Sequence, residues 1–392
     1  MEKKKILFVV HQLNHGGVQK ALLSALDAMD YERNEVTLYI RKNRIDLLDH
    51  VNSNVKQIVI NQDTTHYYRK PYMVWQLLKK IIADCLGWKK QSTRIQSKIV
   101  SYLNDSRMEY EWKHYFKDNT EFDVAISYIQ GYTARFVAKY VKAKKKVMFY
   151  HGSTDETHEL HEEVMPYFDK IVGVNAGVQK VLEGLYPATA DKMTYIENYV
   201  DAENVREKSQ ALFVSRKEKD IVLCSCGRLT PVKGFDIAVE VAKILKEKGI
   251  DFLWYFVGDG PERVRLENMI AAYELGDNIQ ITGMQDNPYP YMRGCDIYVQ
   301  PSREEAHPLT IVEALILEKP VVTTKTVGGQ VLVTSERNGF IAEIQEEALA
   351  KQVLKMISDN ELRNNIGQYL SEIDYSDSFQ KYQEAWERLL ED

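Results

Sequence analysis

Short apolar runs rich in β-branched residues alternate with longer amphipathic stretches along most of this 392-residue chain. The apolar runs lie at 6–10, 36–40, 123–128, 146–151, 170–175, 220–227, 252–258, 279–283, 296–302 and 319–324, with one further candidate at 194–198. Helical periodicity lies between them, as at 234–247, where the apolar residues share one face. Strands that alternate with helices are typical of βα units and a parallel sheet. The alternation therefore predicts an α/β fold.

The length of the chain suggests two domains, because single domains run to roughly 100–200 residues. A polar, charged segment at 201–219 separates the apolar runs of the first half from those of the second. We therefore predict one Rossmann-like domain over residues 1–200 and another over 201–376. The last stretch, 377–391, is predicted to form a short amphipathic helix whose apolar residues include Tyr382 and Trp386.

The charge balance argues against nucleic acid as a partner, because the formal net charge is -6 and nucleic-acid binders are usually basic. The four cysteines show no Cys-x-x-Cys spacing, as expected for a reduced, cytoplasmic protein. The apolar run at 6–10 is too short for a signal peptide. No run reaches the roughly 18 apolar residues of a membrane span, so any membrane contact is expected to be peripheral.

The segment 65–117 interrupts the alternation of strands and helices, and its part at 67–100 is basic and aromatic. Between Arg69 and Lys98 it carries eight Lys or Arg residues and a single acid, Asp84, with Trp75 and Trp88 interleaved. This mixture is typical of an amphipathic helix that lies on an anionic membrane surface. It fits a helical insertion with a solvated basic face equally well, and both interpretations stay open at this point.

Several common catalytic motifs are missing from the sequence. There is no Gly-x4-Gly-Lys-Ser/Thr loop, no Gly-x-Ser-x-Gly elbow and no His-Glu-x-x-His. His158 and His161 could share one face of a helix, but no third ligand accompanies them. We therefore predict no metal site.

The segment 227–234, GRLTPVKG, follows a predicted strand and precedes a predicted helix. Arg228 and Lys233 project from this loop, and Gly234 opens the helix. Two cations beside the N–H groups of a helix N-terminus can bind a diphosphate, because the helix end adds its own partial positive charge. The segment is therefore a candidate phosphate site.

Two further loops also follow predicted strands. In 256–267, Gly258 and Gly260 permit a tight turn, but Arg263 stands where a dinucleotide fingerprint needs its third glycine. A structural turn is the favoured interpretation of that loop. In 301–322, Glu305 is predicted in the loop before a helix and Glu313 inside it. That helix begins near Pro308, where the N–H groups of Leu309 and Thr310 could face a phosphate.

Taken in order, these segments resemble the family 4 glycosyltransferases. The resemblance rests on Gly-Arg…Lys-Gly, Gly-Asp-Gly-Pro, Pro-Ser…Glu-x7-Glu, Pro-Val-Val and the glycine pair 328–329, and it covers about 220–343. The first half agrees more loosely through HQLNHGGVQKAL at 11–22, YHGS at 150–153 and IENYV at 196–200. Two departures are Gln19, where the family often has Glu, and His307, where an aromatic residue is usual.

The resemblance implies the GT-B fold: two Rossmann-like domains face a deep cleft, and the C-terminal helix at 377–392 crosses back onto the first domain. In that family, residues at the positions of Arg228 and Lys233 bind the donor diphosphate. Glu313 would then hold the ribose and Glu305 the sugar hydroxyls. His151 would contact the sugar near its 6-position. Gly16 and Gly17 would let the backbone of the first domain approach the ligand, while Pro308, Leu309 and Thr310 would line the donor site.

The activity that the resemblance implies is metal-independent transfer of a hexose or N-acetylhexosamine with retention of configuration. The donor would be a nucleotide sugar, with UDP-sugars first and GDP-mannose next. The acceptor would be a glycan or lipid-linked oligosaccharide in bacterial cell-surface or capsular polysaccharide synthesis, at the cytoplasmic face of the membrane. Two alternatives stay open: a nucleotide-sugar epimerase or hydrolase on the same fold, and a sugar-nucleotide-binding protein with a degenerate site.

Overall fold

The computed structural model of the protein describes residues 2–61, 105, 108–116, 120–154, 158–211 and 219–391. The predicted membrane-surface segment 67–100 lies outside these ranges. The strands of the first half are β1 (Lys4–Val10), β2 (Asn34–Ile40), β3 (Gln57–Ile60), β4 (Phe122–Ser127), β5 (Ala143–Tyr150), β6 (Lys170–Gly173) and β7 (Met193–Tyr195). Those of the second half are β8 (Ile221–Cys226), β9 (Phe252–Val257), β10 (Ile279–Gly283), β11 (Ile297–Gln300), β12 (Val321–Thr324) and β13 (Gly339–Ala342).

Helices cover these strands. In the first half they are Gly17–Asp27, Tyr132–Lys139, His158–Val164 and Ala176–Leu185, and residues 108–115 are also helical. Farther along the chain they are Ala202–Ser209, Phe235–Glu247, Arg263–Ala272, Tyr289–Gly294, Leu309–Ile316, Val327–Leu332, Glu346–Ser358, Asn360–Ser371 and Ser378–Glu391. No helix in the described ranges is long and apolar enough to cross a membrane.

The strands form two sheets in which every pairing between them is parallel. The first sheet has the order β3-β2-β1-β4-β5-β6-β7 and the second the order β10-β9-β8-β11-β12-β13. Both orders reverse direction once, between β1 and β4 and between β8 and β11. In open α/β sheets ligands bind beyond the carboxyl ends of the strands at such a reversal point. The predicted α/β fold with two Rossmann-like sheets is confirmed.

The apolar runs form strands because both faces of each sheet are covered. In β1, Ile6, Phe8 and Val10 pack into one core cluster, and Leu7 and Val9 pack into another on the opposite face. A parallel strand buried on both faces is apolar throughout and shows no polar alternation. This is why continuous apolar runs, rather than a period of two, mark the strands in the sequence.

The C-terminal helix Ser378–Glu391 packs against the first sheet, although it follows the second in sequence. Trp386 is 1% exposed, and its ring stacks on Phe149 with centroids 5.0 Å apart. Nζ of Lys4, at the start of β1, donates a hydrogen bond of 2.9 Å to the carbonyl of Leu390. The end of the chain therefore helps to hold the two halves together.

Two strands of the structure, β3 and β13, escaped the sequence analysis. Each has only four residues and lies at the edge of its sheet. Length is not the reason, because β6, β11 and β12 are equally short and were predicted. In β3 two of the four residues are exposed, which weakens the apolar signal.

Candidate active site

The two domains meet through the loops and helix starts that follow their strands. After β1, Lys20 approaches Glu313 of the second domain with its Nζ 3.5 Å from Oε1. Beyond β5, the Ser153 hydroxyl donates a hydrogen bond of 3.0 Å to Glu304 Oε1. Just past β6, Asn175 Nδ2 donates one of 2.6 Å to the carbonyl of Ala306. The carboxyl ends of the two sheets therefore face each other across one interdomain site.

The loop 227–234 begins at the reversal point of the second sheet, directly after β8. Arg228 is exposed and donates a hydrogen bond of 3.3 Å from Nη2 to the carbonyl of His15 in the first domain. Gly234 has a φ of 66° and caps the helix Phe235–Glu247. A Cβ at Gly234 would lie 2.0 Å from the carbonyl oxygen of Pro301. Glycine there thus lets the loops after β8 and β11 touch.

The Gly-Asp-Gly-Pro turn at 258–261 packs against the loop 227–234. A Cβ at Gly258 would lie 1.9 Å from the Gly227 carbonyl oxygen, and one at Gly260 would lie 2.4 Å from that of Leu229. The Leu229 N–H also donates to the carbonyl of Asp259 at 3.0 Å. The two glycines therefore pack against the backbone that carries Arg228, which agrees with the structural turn favoured from the sequence.

Lys233 and Glu305 form an ion pair at the centre of the site, with Nζ 2.6 Å from Oε1. Glu305 is 8% exposed. Its Oε1 also accepts hydrogen bonds from Gln300 Nε2 at 3.0 Å and from the Ser302 hydroxyl at 2.7 Å. Three donors hold the carboxylate in place, as a buried charge requires. The structure thus brings together two predicted site residues that are 72 positions apart.

The helix Leu309–Ile316 places Glu313 on the inner side of the site, where it is 2% exposed. Its Oε1 accepts a hydrogen bond of 3.1 Å from the Tyr289 hydroxyl and lies 3.5 Å from Lys20 Nζ. Burial and the neighbouring Glu313 carboxylate raise the pKa of Tyr289 well above its ordinary value, so its phenol stays protonated and donates. Glu313 is therefore a hydrogen-bond acceptor with protein partners from both domains.

The remaining residues predicted around the donor line the same helix start. Pro308 is extended and immediately precedes the helix. The Thr310 hydroxyl donates a hydrogen bond of 3.0 Å to Gln300 Oε1. Because Gln300 in turn donates to Glu305, the Thr310 side chain belongs to the hydrogen-bond network around Glu305. The first N–H groups of a helix lack partners within it, and those of Leu309 and Thr310 belong to this set.

The glycine pair of the first domain lies opposite that helix. Gly17 begins the helix Gly17–Asp27, and a Cβ on it would lie 4.0 Å from Leu309 Cδ1. Gly16 is extended, with a φ of 171°, and a Cβ on it would lie 2.5 Å from Gln19 Oε1. The structure therefore places this pair at the domain boundary, against the helix start of the second domain.

Two histidines lie near the domain boundary, His151 with its ring against Tyr128 and His307 with its Nδ1 near Asn175. His151 follows β5, and burial lowers its pKa to about 3. His307 precedes the helix Leu309–Ile316, and burial lowers its pKa to about 4. Both rings are therefore neutral at pH 7. The Nε2 atoms of both are buried and have no hydrogen-bond partner.

The site can neutralise and orient an anionic ligand. Arg228 and Lys233 supply two cations, the helix start adds N–H groups, and Glu305 and Glu313 supply buried acceptors. The described part of the chain contains no cluster of three or more His, Cys, Asp or Glu side chains that could hold a metal ion. Of the histidine pair considered from the sequence, His161 accepts a hydrogen bond from the Gly131 N–H at 3.0 Å, and the His158 ring stacks on Tyr186 with centroids 4.8 Å apart.

Sequence reasoning missed Lys20, Tyr289, Gln300 and Asn175, which hold the predicted site residues in place. Asn175 carried a usable signal: it ends a predicted strand and precedes a helix, and asparagine is a preferred N-cap. Its Oδ1 does accept the Val178 N–H, at 2.9 Å. Lys20 and Tyr289 carried no such signal, since each is an ordinary residue within a helix.

Comparison with known proteins gives a family match for the second domain. Residues 207–372 match the family model described as glycosyl transferases group 1. The lipopolysaccharide core biosynthesis glycosyltransferase LpsE of Rhizobium meliloti is 28% identical, over 38% of this chain and 42% of that protein. The alpha-D-kanosaminyltransferase of Streptomyces kanamyceticus is 30% identical, over 36% of this chain and 38% of that protein. The chain spans about half the length, or less, of most curated relatives it matches.

Solved structures agree with the fold over the whole chain. Anabaena HepE in complex with UDP and glucose superposes with a TM-score of 0.70 at 16% identity, covering 99% of each chain. A glycosyltransferase from Rickettsia africae superposes with a TM-score of 0.70 at 19% identity, covering 100% of this chain and 99% of that one. The GT-B fold implied by the sequence resemblance is therefore confirmed.

Proposed function

We propose that this chain, whose residues 207–372 belong to the glycosyl transferases group 1 family, is a retaining glycosyltransferase that uses a nucleotide sugar. It would transfer a hexose or N-acetylhexosamine to a hydroxyl of a glycan acceptor. The observation that carries the proposal is the Lys233–Glu305 pair at the reversal point of the second sheet. A cation for the leaving phosphate and a carboxylate for the sugar hydroxyls lie side by side there.

The donor would bind across the helix start of the second domain. Its diphosphate would lie between Arg228, Lys233 and the first N–H groups of the helix Leu309–Ile316. Glu313 would accept hydrogen bonds from the ribose hydroxyls, a role that carboxylates also play in dinucleotide-binding folds. In this structure Glu313 also contacts Lys20 of the first domain, with Nζ 3.5 Å from Oε1.

The chemistry would be a front-side substitution. The bond from the anomeric carbon to the phosphate oxygen breaks, and the acceptor oxygen bonds to that carbon on the same face. The proton of the acceptor hydroxyl passes to the departing phosphate. Lys233 and Arg228 stabilise the charge that builds up on the leaving group. Preorganised electrostatic stabilisation of this kind is often the largest single contribution to lowering the activation barrier of an enzyme. Two cations make a divalent metal unnecessary in this proposal.

The relatives support a role in polysaccharide synthesis. Their names include lipopolysaccharide core, colanic acid and O-antigen biosynthesis glycosyltransferases. Solved neighbours hold UDP or UDP-glucose, so UDP is the first nucleotide to test. We propose a cell-surface or capsular polysaccharide pathway at the cytoplasmic face of the membrane, with a glycan or lipid-linked oligosaccharide as acceptor.

Glu313→Ala is expected to weaken nucleotide-sugar binding about tenfold to a hundredfold, because a buried charged hydrogen bond contributes about 1.5–3 kcal/mol. The measurement is a metal-free thermal-shift panel of UDP, GDP and their sugars, since a ligand that binds the folded state raises the melting temperature. Calorimetry then gives the dissociation constants. The panel also identifies the nucleotide base.

Two further variants make the Glu313 experiment specific. Glu313→Gln keeps the shape of the side chain and removes the charge, so it should weaken binding without unfolding the domain. Glu387→Ala changes an exposed carboxylate on the C-terminal helix and should bind like the wild type. Wild-type affinity in both Glu313 variants would disprove its role. If the nucleotide sugar binds but no glycosyl group is transferred to any acceptor, a sugar-nucleotide-binding protein with a degenerate site is favoured. If the donor is epimerised or hydrolysed, a nucleotide-sugar epimerase or hydrolase is favoured.

We further propose that the segment 67–100 attaches the protein to anionic membranes. The full chain should co-sediment with liposomes that contain phosphatidylglycerol, and high salt should release it, because each Lys near an anionic surface contributes about 1 kcal/mol. A variant with Lys79, Lys80, Lys89 and Lys90 changed to alanine should lose most of this binding. Lys246→Ala, an exposed change in the second domain, is the control. No sedimentation of the wild type at low salt would favour the plain helical insertion.

A further inference from the structure

One residue of the loop after β11, Arg303, binds the segment 231–236 of the neighbouring strand's loop. Its Nη1 donates hydrogen bonds of 2.6 Å to the carbonyl of Pro231 and of 2.7 Å to Asp236 Oδ1. Its Nη2 donates one of 2.9 Å to Asp236 Oδ2. The backbone N–H of Arg303 donates to the carbonyl of Val232 at 2.7 Å. Both the side chain and the backbone of this arginine therefore hold the segment.

The contacts of Arg303 lie on both sides of Lys233. The two carbonyls come before Lys233 in the chain, and the carboxylate of Asp236 follows it by three residues, in the first turn of a helix. Glu305, whose Oε1 lies 2.6 Å from Lys233 Nζ, follows Arg303 by two residues. Arg303 therefore joins the short segment that carries the cation of the site to the one that carries its carboxylate.

This arrangement depends on a guanidinium. An arginine and a carboxylate form two parallel N–H···O bonds because the planar fork of one matches the two oxygens of the other. Arg303 forms such a pair with Asp236, and its Nη1 reaches the Pro231 carbonyl as well. Lysine has a single ammonium head and cannot reproduce the fork. The two side chains are 40% and 18% exposed, so we expect the pair to affect the geometry of the loop more than the stability of the fold.

The role of Arg303 differs from that proposed for Arg228. Arg228 donates across the domain boundary to the carbonyl of His15, whereas Arg303 is paired with a carboxylate of its own domain. The charge of Asp236 offsets the attraction of this guanidinium for a phosphate. Its three side-chain hydrogen bonds also direct it to the backbone and side chain of the loop. Arg303 is therefore placed to act through Lys233 and not on the substrate.

We propose that Arg303 is a positioning residue that holds Lys233 in place for the leaving phosphate, an inference that rests on the proposed function. A cation stabilises the transition state only when it is fixed where the charge develops. A misplacement of about 1 Å, caused by a change away from the reacting atoms, can lower the rate about a hundredfold. Without the guanidinium, only the backbone contact to Val232 and the Lys233–Glu305 pair would still hold this part of the loop.

The first test compares turnover with donor affinity. Arg303→Ala should lower kcat about tenfold or more, whereas the dissociation constant of the donor found in the thermal-shift panel should change less than about threefold. Arg303→Lys keeps the charge without the fork and should recover only part of the turnover. A kcat of Arg303→Ala within about twofold of the wild type would overturn the inference.

Arg265→Ala is the matched control. Arg265 contacts the same carboxylate, with its Nη2 3.6 Å from Asp236 Oδ2, and its Nη1 pairs with Glu262. The substitution therefore removes a cation from Asp236 but keeps the hydrogen bond from Arg303 to the Pro231 carbonyl. Its kcat should stay within about twofold of the wild type. A loss as large as that of Arg303→Ala would assign the effect to the charge near Asp236 and overturn the positioning role.

A double-mutant cycle shows whether Arg303 acts through Lys233. In the Lys233→Ala background there is no ammonium left to position, so Arg303→Ala should lower kcat by less than about a further twofold. A general weakening of the domain would instead lower kcat by the same factor in both backgrounds. Fully additive effects would therefore make Arg303 a merely structural residue and contradict the proposal.

Amide hydrogen exchange of the full chain tests the loop contacts without any substrate. Local opening of a segment becomes more frequent when its contacts are removed, so exchange over 229–236 should be about fivefold faster or more in Arg303→Ala. Exchange in the C-terminal helix Ser378–Glu391 should not change, and Arg265→Ala should keep the wild-type rate over 229–236. Unchanged exchange of this segment in Arg303→Ala would show that the arginine does not hold the loop.

The outcomes separate this inference from the proposed function. If the wild type transfers sugar and Arg303→Ala keeps its kcat, Arg303 is not a positioning residue, and the glycosyltransferase proposal stands. If the wild type neither binds nor transfers any nucleotide sugar, the proposed function fails, and the role of Arg303 in that reaction fails with it.

Discussion

Replacing Lys233 by alanine should lower kcat by about two to three orders of magnitude, the cost typical of removing one preorganised group from a developing charge. Lys233 Nζ lies 2.6 Å from Glu305 at the centre of the interdomain site. The leaving nucleotide gains charge as its bond to the sugar breaks, so the ammonium contributes more in the transition state than to the bound donor. The dissociation constant of the donor should therefore rise much less than kcat falls.

The Lys233 measurement is steady-state release of nucleoside diphosphate with the donor identified by the thermal-shift panel. Lys233→Arg keeps the charge and should recover part of the turnover, although its fork-shaped head differs from an ammonium. Lys248→Ala changes an exposed lysine of the same domain and serves as the control. The fold should survive Lys233→Ala, because Gln300 and Ser302 still donate to Glu305. Turnover within about threefold of the wild type would remove Lys233 from the mechanism.

Gly258→Ala should lower the free energy of unfolding by about 3 kcal/mol or more. Its φ of 151° is a conformation that L-residues rarely adopt, and such strain costs about 1–3 kcal/mol. The added Cβ would also lie 1.9 Å from the Gly227 carbonyl oxygen, where backbone must move, and overpacking costs a further 1–3 kcal/mol or so. The displaced backbone carries Arg228, so nucleotide binding should weaken as well.

Urea unfolding followed by circular dichroism tests the Gly258 prediction. The matched control is Gly184→Ala: that glycine lies inside the helix Ala176–Leu185, and a Cβ there would meet nothing within 4 Å. Alanine should stabilise this position by about 0.5–1 kcal/mol, because glycine is a poor helix former. Equal effects of the two substitutions would show that the Gly258 contact does not matter.

The sequence predicted the framework of the molecule because the framework depends on local patterns. Apolar runs such as 252–258 correspond closely to buried strands, here β9 (Phe252–Val257). The helix predicted from 234–247 begins at Phe235 and ends at Glu247. Because parallel strands of one sheet end at the same edge, the sequence also predicted that the loops of Arg228 and Glu305 lie on the same side of the second sheet. The edge strands β3 and β13 were missed.

Tertiary structure alone decided how the candidate residues are paired and oriented. The contact between Lys20 and Glu313 joins residues 293 positions apart, and Lys233 meets Glu305 only because the loops after β8 and β11 lie together at the reversal point. Asn175 of the first domain donates to the carbonyl of Ala306 in the second, 131 positions away. Hydrophobic periodicity predicts which segments form helices or strands and which of their residues are buried. Which donor meets which acceptor across two domains is determined by strand order and domain closure, and these are properties of the folded chain as a whole.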